Sequence, residues 1–91
     1  MKITIKGNEV DIKGTVRAMM MYENIKGESF QPTSTENIIT YMYCCVVFTT
    51  KDYSLSFDEF LDIIDEDMTI VNDFVAWLIA QAENQNKLKK E

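Results

Sequence analysis

Histidine is absent from this 91-residue chain. That removes the commonest general base and the commonest metal ligand together. Glycine occurs three times and proline once, which excludes collagen-like or linker character. Basic residues number 9 against 15 acids, for a net charge of −6. Such a balance argues against a protein that holds nucleic acid through its phosphates. Long apolar runs are also missing: the longest, Tyr41 to Phe48, falls far short of the ~20 residues that span a bilayer. Near Lys2 the only apolar residues are Ile3 and Ile5, alternating with polar ones, so no secretory signal is expected. The two cysteines, Cys44 and Cys45, are adjacent and cannot close a long loop. They read as small apolar core residues of a reducing compartment. A cytoplasmic protein that contacts neither membrane nor nucleic acid is the expectation.

Apolar residues make up 46% and charged residues 26%, which fits a folded globule and not a disordered tail. The length suits one domain, expected over residues 1–84 with a polar tail at 85–91. The expected fold is α+β and mostly helical, an N-terminal β-hairpin packed on about four helices. Lys2–Lys6 and Glu9–Lys13 alternate, with Ile3, Ile5, Val10 and Ile12 on one face. Gly7-Asn8 is the expected two-residue turn between them.

Thr15 is placed to cap a helix running to about Lys26, with Gly27 as its left-handed C-cap. Along it Ala18, Met21, Tyr22 and Ile25 share one face, while Val16, Met19 and Met20 lie opposite, with Glu23 among them. Two readings follow. Either this helix is sandwiched between the hairpin and a later helix, or Met19 and Met20 belong to an adaptable binding surface. Thr33 and Glu36 have capping-box spacing for a second helix over about Ser34–Thr50, apolar nearly all round and hence central. Ser56 and Glu59 repeat that spacing before a short helix that Asp65-Glu66-Asp67 ends. The last helix is expected from about Met68 to Asn84. Its apolar arc covers about 200°, from Trp77 and Ile70 round to Ile79. That is wide for a surface helix, so either it is deeply embedded or one margin meets a partner. Trp77 lies at that margin, and Trp is enriched in interface hot spots.

No catalytic constellation emerges. An EF-hand starting at Asp65 would need Gly where Ile70 stands and Glu where Ala76 stands. Glu23 is the only acid inside an apolar run, and it has no carboxylate partner for acid–base work. No histidine is available to activate a Ser or Cys, and there is neither a glycine-rich phosphate loop nor a CxxC pair. No enzyme activity, cofactor or metal is expected. Between Lys51 and Lys87 there are nine acids and no basic residue. Asp58, Asp62 and Asp65 recur at helical spacing opposite the phenylalanines, as on a solvated face. With Asp67 they are also candidates for an electrostatic docking surface. The candidate partner-binding residues are therefore Met19, Met20, Ile70, Trp77, Asp62, Asp65 and Asp67.

Thr15-Val16-Arg17-Ala18, Met21-Tyr22-Glu23, Gly27-Glu28-Ser29-Phe30 and Ser56-Phe57-Asp58-Glu59-Phe60 together resemble the small phage and prophage tail assembly chaperones. The likeness extends over most of the chain through short, degenerate elements. It implies a non-enzymatic assembly factor that binds the tape-measure protein and keeps it soluble while tail-tube subunits polymerise around it. Such a factor would act in the host bacterial cytoplasm and be absent from the mature virion. Some members of that family are also made in a longer form by ribosomal frameshifting. Asn86-Lys87-Leu88-Lys89-Lys90-Glu91 is compatible with an A-rich slippery stretch, and equally with a solvated Lys-rich tail. The alternative function is a small acidic interaction module, such as an antitoxin, an adaptor or a nucleic-acid mimic, binding one compact basic partner. The wide apolar arcs leave self-association into a homo-oligomer open.

Overall fold

The computed structural model describes residues 1–51 and 54–89. Strands β1 (Lys2–Ile5) and β2 (Asn8–Asp11) precede helices α1 (Val16–Lys26), α2 (Thr35–Thr50), α3 (Phe57–Glu66) and α4 (Thr69–Lys89). This is the expected mostly helical α+β fold with its N-terminal hairpin.

The hairpin turns at Lys6-Gly7 and not at Gly7-Asn8, pairing Ile3 with Val10 and Ile5 with Asn8. Both turn residues have positive φ, 51° at Lys6 and 79° at Gly7, as the tight turn that matches strand twist demands. Moving the turn by one residue shifts the pairing by two, so the inward set is kept. Ile3, Ile5 and Ile12 are buried and Val10 half-buried.

Both ends of α1 form as the sequence suggests. The Thr15 hydroxyl accepts from the Ala18 N–H at 3.0 Å, and Gly27 sits at φ 75° with its N–H on the Glu23 carbonyl. At α2 the expected Thr33/Glu36 box is not used. Ser34 caps instead, accepting from the Asn37 N–H at 3.1 Å. Thr33 Oγ1 is occupied by the Asn37 amide, and the Glu36 carboxylate pairs with Lys26 of α1. Competing partners thus move the start by one residue.

Helix α2 is the centre of the molecule, packing on α1, β2 and α4. Ile39 through Met42 and Cys44 through Val47 are buried on every side. The Tyr43 hydroxyl donates to the Leu55 carbonyl, fixing α2 to the turn before α3. Both halves of the Ser56–Glu59 capping box form, and Phe60 and Ile64 face inward.

Helix α4 starts at Thr69, where the Asp67 carboxylate accepts from the Thr69 N–H at 3.1 Å. It continues to Lys89, past its expected end at 84. Residues 83–89 contain neither Gly nor Pro, so nothing in the sequence stops it there. Lys90 and Glu91, the end of the Lys-rich stretch, lie outside the described residues. Among those described, no helix is long and apolar enough to cross a membrane.

Candidate partner-binding surface

The surface begins with an imbalance on α1. Ala18 and Tyr22 are buried against α2, but the opposite side is uncovered: Val16 is 69%, Met19 45% and Met20 62% exposed. The sandwiched arrangement therefore does not occur. The hairpin packs on α2, and no described residue covers Val16 or Met20 on the outer face of α1 to less than 62% exposure. Ile25, expected on the inner face, is also exposed, because it lies in the last turn of the helix.

The two methionines of that face part company. Met19 leans toward α4 and lines a groove of about 440 Å³ with Phe30, Tyr41, Trp77 and Leu78, over a floor that includes Gly14. Met20 points the other way, to the edge of a shallow depression between α1 and Phe48 of α2. Successive helical residues diverge by ~100°, so neighbours in sequence face different surfaces.

An aromatic chain builds the groove. Phe30 stacks on Tyr41 with ring centroids 4.4 Å apart and the planes 23° from parallel. Tyr41 in turn meets Phe74 at 6.2 Å, and Phe74 meets Trp77 at 5.5 Å. The floor is close-fitting: a Cβ on Gly14 would lie 3.4 Å from the Tyr41 hydroxyl and 3.5 Å from Trp77. Burial pushes the Tyr41 phenol well above its ordinary value, so it stays neutral. Among the described residues, Glu23 is the one charged side chain that borders the groove.

The other candidate residues fall differently. Ile70 is only 9% exposed and belongs to the core with Val71 and Phe74. The arc of α4 is thus split, with its Ile70 side embedded and its Trp77 side opening on the groove. Asp62 and Asp65 are exposed on α3 and make no ion pair among the described residues. Asp67 is exposed too, but its carboxylate caps α4, which is a structural task. Lys6 reaches Glu59 at 3.1 Å, and that contact with the Ser56 backbone holds the Glu59 carboxyl below its ordinary value.

Phe30, Tyr41, Leu78 and Gly14 were not among the sequence candidates. Phe30 carried a legible signal, since it is an aromatic residue in a loop otherwise polar from Glu28 to Thr33. The two thiols sit deep in α2, where burial pushes Cys44 up to about 11 and Cys45 up to about 12. Protonated thiols are poor nucleophiles. No protein-family model, curated protein or solved structure matches this chain.

Proposed function

We propose that this chain is a non-enzymatic assembly chaperone of the phage tail type, whose groove between α1 and α4 takes an amphipathic helical segment of the tape-measure protein. The observation that carries the reading is the groove itself. It is apolar and aromatic, and a flexible methionine and a half-buried tryptophan stand on opposite walls. Helix-in-groove recognition needs an apolar trough for i, i+3, i+4 anchors and a surround that excludes water. Methionine adapts to varied side chains, which suits a long client whose segments differ. The net charge of −6 keeps a protein with uncovered apolar residues soluble. The same reading makes it an assembly factor of the host cytoplasm, absent from the finished virion.

The test is co-expression with the tape-measure protein encoded in the same gene cluster. That client is expected to be insoluble alone and soluble with this chain. Met19→Glu is expected to abolish the rescue with an unchanged melting temperature, since Met19 is exposed. Trp77→Ala should abolish it too, but with some loss of stability from the Phe74 contact. Rescue by Met19→Glu equal to wild type would remove the groove from the proposal, and a gene cluster with no long helix-rich frame would remove the client.

A second reading has one observation in its favour: Asp58, Asp62 and Asp65 form an exposed acidic row on α3 with no ion pairs among the described residues. A compact basic partner would dock there. Asp62→Asn with Asp65→Asn would then weaken binding and its salt dependence, whereas groove binding would be nearly unaffected.

A further inference from the structure

We propose that the outer edge of β1 is a strand-docking site, where an extended segment of a partner protein bearing a basic residue adds a third strand beside the hairpin. Backbone geometry carries this. In an antiparallel pair, alternate residues exchange both backbone bonds with the facing strand, and those between turn theirs outward. The Ile12 N–H donates to the Met1 carbonyl at 2.7 Å, which sets the phase. Met1, Ile3 and Ile5 bond toward the second strand, and Lys2 and Thr4 turn away from it. The outward N–H and C=O groups of Lys2 and Thr4 have no hydrogen-bond partner among the described residues. They face a cleft of about 520 Å³, whose far wall is Ile63 and Glu66 of α3 with Ile70 and Asp73 of α4. An unpaired strand edge along a cleft is suited to adding a peptide strand. Main-chain bonds hold the peptide, and the facing wall reads its alternate side chains.

Charge specifies the occupant. Lys2 and Lys6, the cations at the cleft, already pair with Glu9 at 3.7 Å and Glu59 at 3.1 Å. Glu66 and Asp73 are exposed and make no ion pair among the described residues. The unanswered charge of the cleft is therefore negative. It suits a strand that is apolar where it passes the half-buried Ile63 and carries Lys or Arg beside Glu66 and Asp73. A second copy of β1 fits poorly. An antiparallel pair centred on Thr4 would bring Lys2 of each copy level with Lys6 of the other, and like charges directly opposite are destabilising. Lysines placed in this way guard an edge against its own kind. Among the described residues, none lines both this cleft and the Trp77 groove, so the two sites are separable by mutation.

Selection from a random peptide library against the full chain tests the proposal, followed by amide-resolved NMR titration with the peptide that binds best. Enriched peptides are expected to alternate apolar and polar residues and to carry Lys or Arg. The titration should move the Lys2 and Thr4 amide signals and slow their exchange. Thr4→Pro should weaken binding by at least about tenfold, because it removes an edge donor that the hairpin does not use. N-methylating the peptide along the side that faces β1 should weaken it as much, and leaves the protein unaltered. Glu66→Gln with Asp73→Asn should weaken binding by roughly 3- to 10-fold and flatten its salt dependence. A library that yields no binder would overturn the proposal. So would binders that are lost in Met19→Glu but indifferent to Thr4→Pro, or an N-methylated peptide that binds as well as its parent. Enrichment of Asp or Glu in place of Lys or Arg would overturn the basic occupant. Concentration-dependent shifts at Lys2 and Thr4 without any peptide would overturn it too, in favour of a second copy. None of these outcomes bears on rescue of a client through the groove, so failure here leaves that reading standing.

Discussion

Helices α1 and α2 are both rich in apolar residues and have opposite fates. In α2 the apolar residues run nearly all round, and the structure buries most of them, leaving Ile38, Tyr43 and Phe48 half-buried. In α1 they also lie on two sides, but only Ala18 and Tyr22 are fully covered. The difference separates two uses of the same residue types. Apolar surface that the chain buries itself is the source of its stability. Apolar surface that it leaves in water contributes little to that stability, and it is where the proposed partner would dock.

The largest expected effect tests that division with one chemical change on each helix. Met42 is fully buried on α2, and Met42→Ala should cost about 2–5 kcal/mol through lost transfer energy and the cavity left behind. Met20→Ala on α1 should stay within about 0.5 kcal/mol, as exposed substitutions do. Chemical denaturation of both variants measures this. Equal losses would mean that the outer face of α1 contributes to the fold after all.

Next is alkaline pH, which acts through α2. Folded Cys44 and Cys45 hold their protons up to about 11 and about 12, while an unfolded thiol releases its proton near ~8.5. Their folded values are raised, so their contribution is fully present below the unfolded value and is lost as pH rises toward the folded values. Each thiol should remove up to ~1.4 kcal/mol of stability per pH unit in that window. Unfolding free energies at pH 8 and pH 10.5 should therefore differ by a few kcal/mol, an order-of-magnitude figure from the same linkage. The slope should be about halved in Cys45→Ala. The thiols of the folded protein should also react with a disulfide reagent only at the rate of global opening. Fast labelling at neutral pH would contradict the burial of α2.

Helix α1 has one fault on its covered side. The Tyr22 hydroxyl is buried with no hydrogen-bond partner among the described residues. Its ring meets Phe30 edge-on at 5.2 Å and Tyr41 at 6.2 Å. Tyr22→Phe keeps those contacts and removes an unsatisfied polar atom, so it should stabilise the chain by about 1 kcal/mol. A lower melting temperature would reveal a partner for that hydroxyl, such as a bound water.

Much of this architecture was legible because local chemistry and global packing agree. Thr15, Gly27, Ser56 and Glu59 mark helix ends by hydrogen-bond groups fixed in sequence, and each is used as written. The Thr33/Glu36 box failed because Lys26 and Asn37 compete for its two side chains, and those partners depend on how α1 lies beside α2. The candidate surface was half legible. An apolar arc on a helix shows how much must be covered, not by what. Hence Ile70 and Trp77 looked alike in projection, although one is core and the other lines a groove. The groove also needs Phe30 from a loop and Tyr41 from the central helix, and only the fold brings those together.

The smallest effects compare the ends of the same two helices. Each ends on a left-handed residue, α1 on Gly27 at φ 75° and α2 on Lys51 at φ 57°. An L-residue in that region crowds its own Cβ against the following carbonyl, a strain of roughly 1 kcal/mol that glycine avoids. Gly27→Ala should therefore lower stability by up to about 1 kcal/mol, since open space around Gly27 leaves backbone strain as the whole effect on the folded state, offset in part by the freedom the unfolded chain loses. Lys51→Gly should raise it, but by less. The relief of strain is partly offset by the extra freedom glycine gives the unfolded chain, for a net gain of a few tenths of a kcal/mol. For a domain of this size that is about 1–3 °C in melting temperature. Opposite signs at the two ends would show that both helices stop for the same backbone reason. A destabilised Lys51→Gly would show instead that the Lys51 side chain, and not its backbone conformation, closes α2.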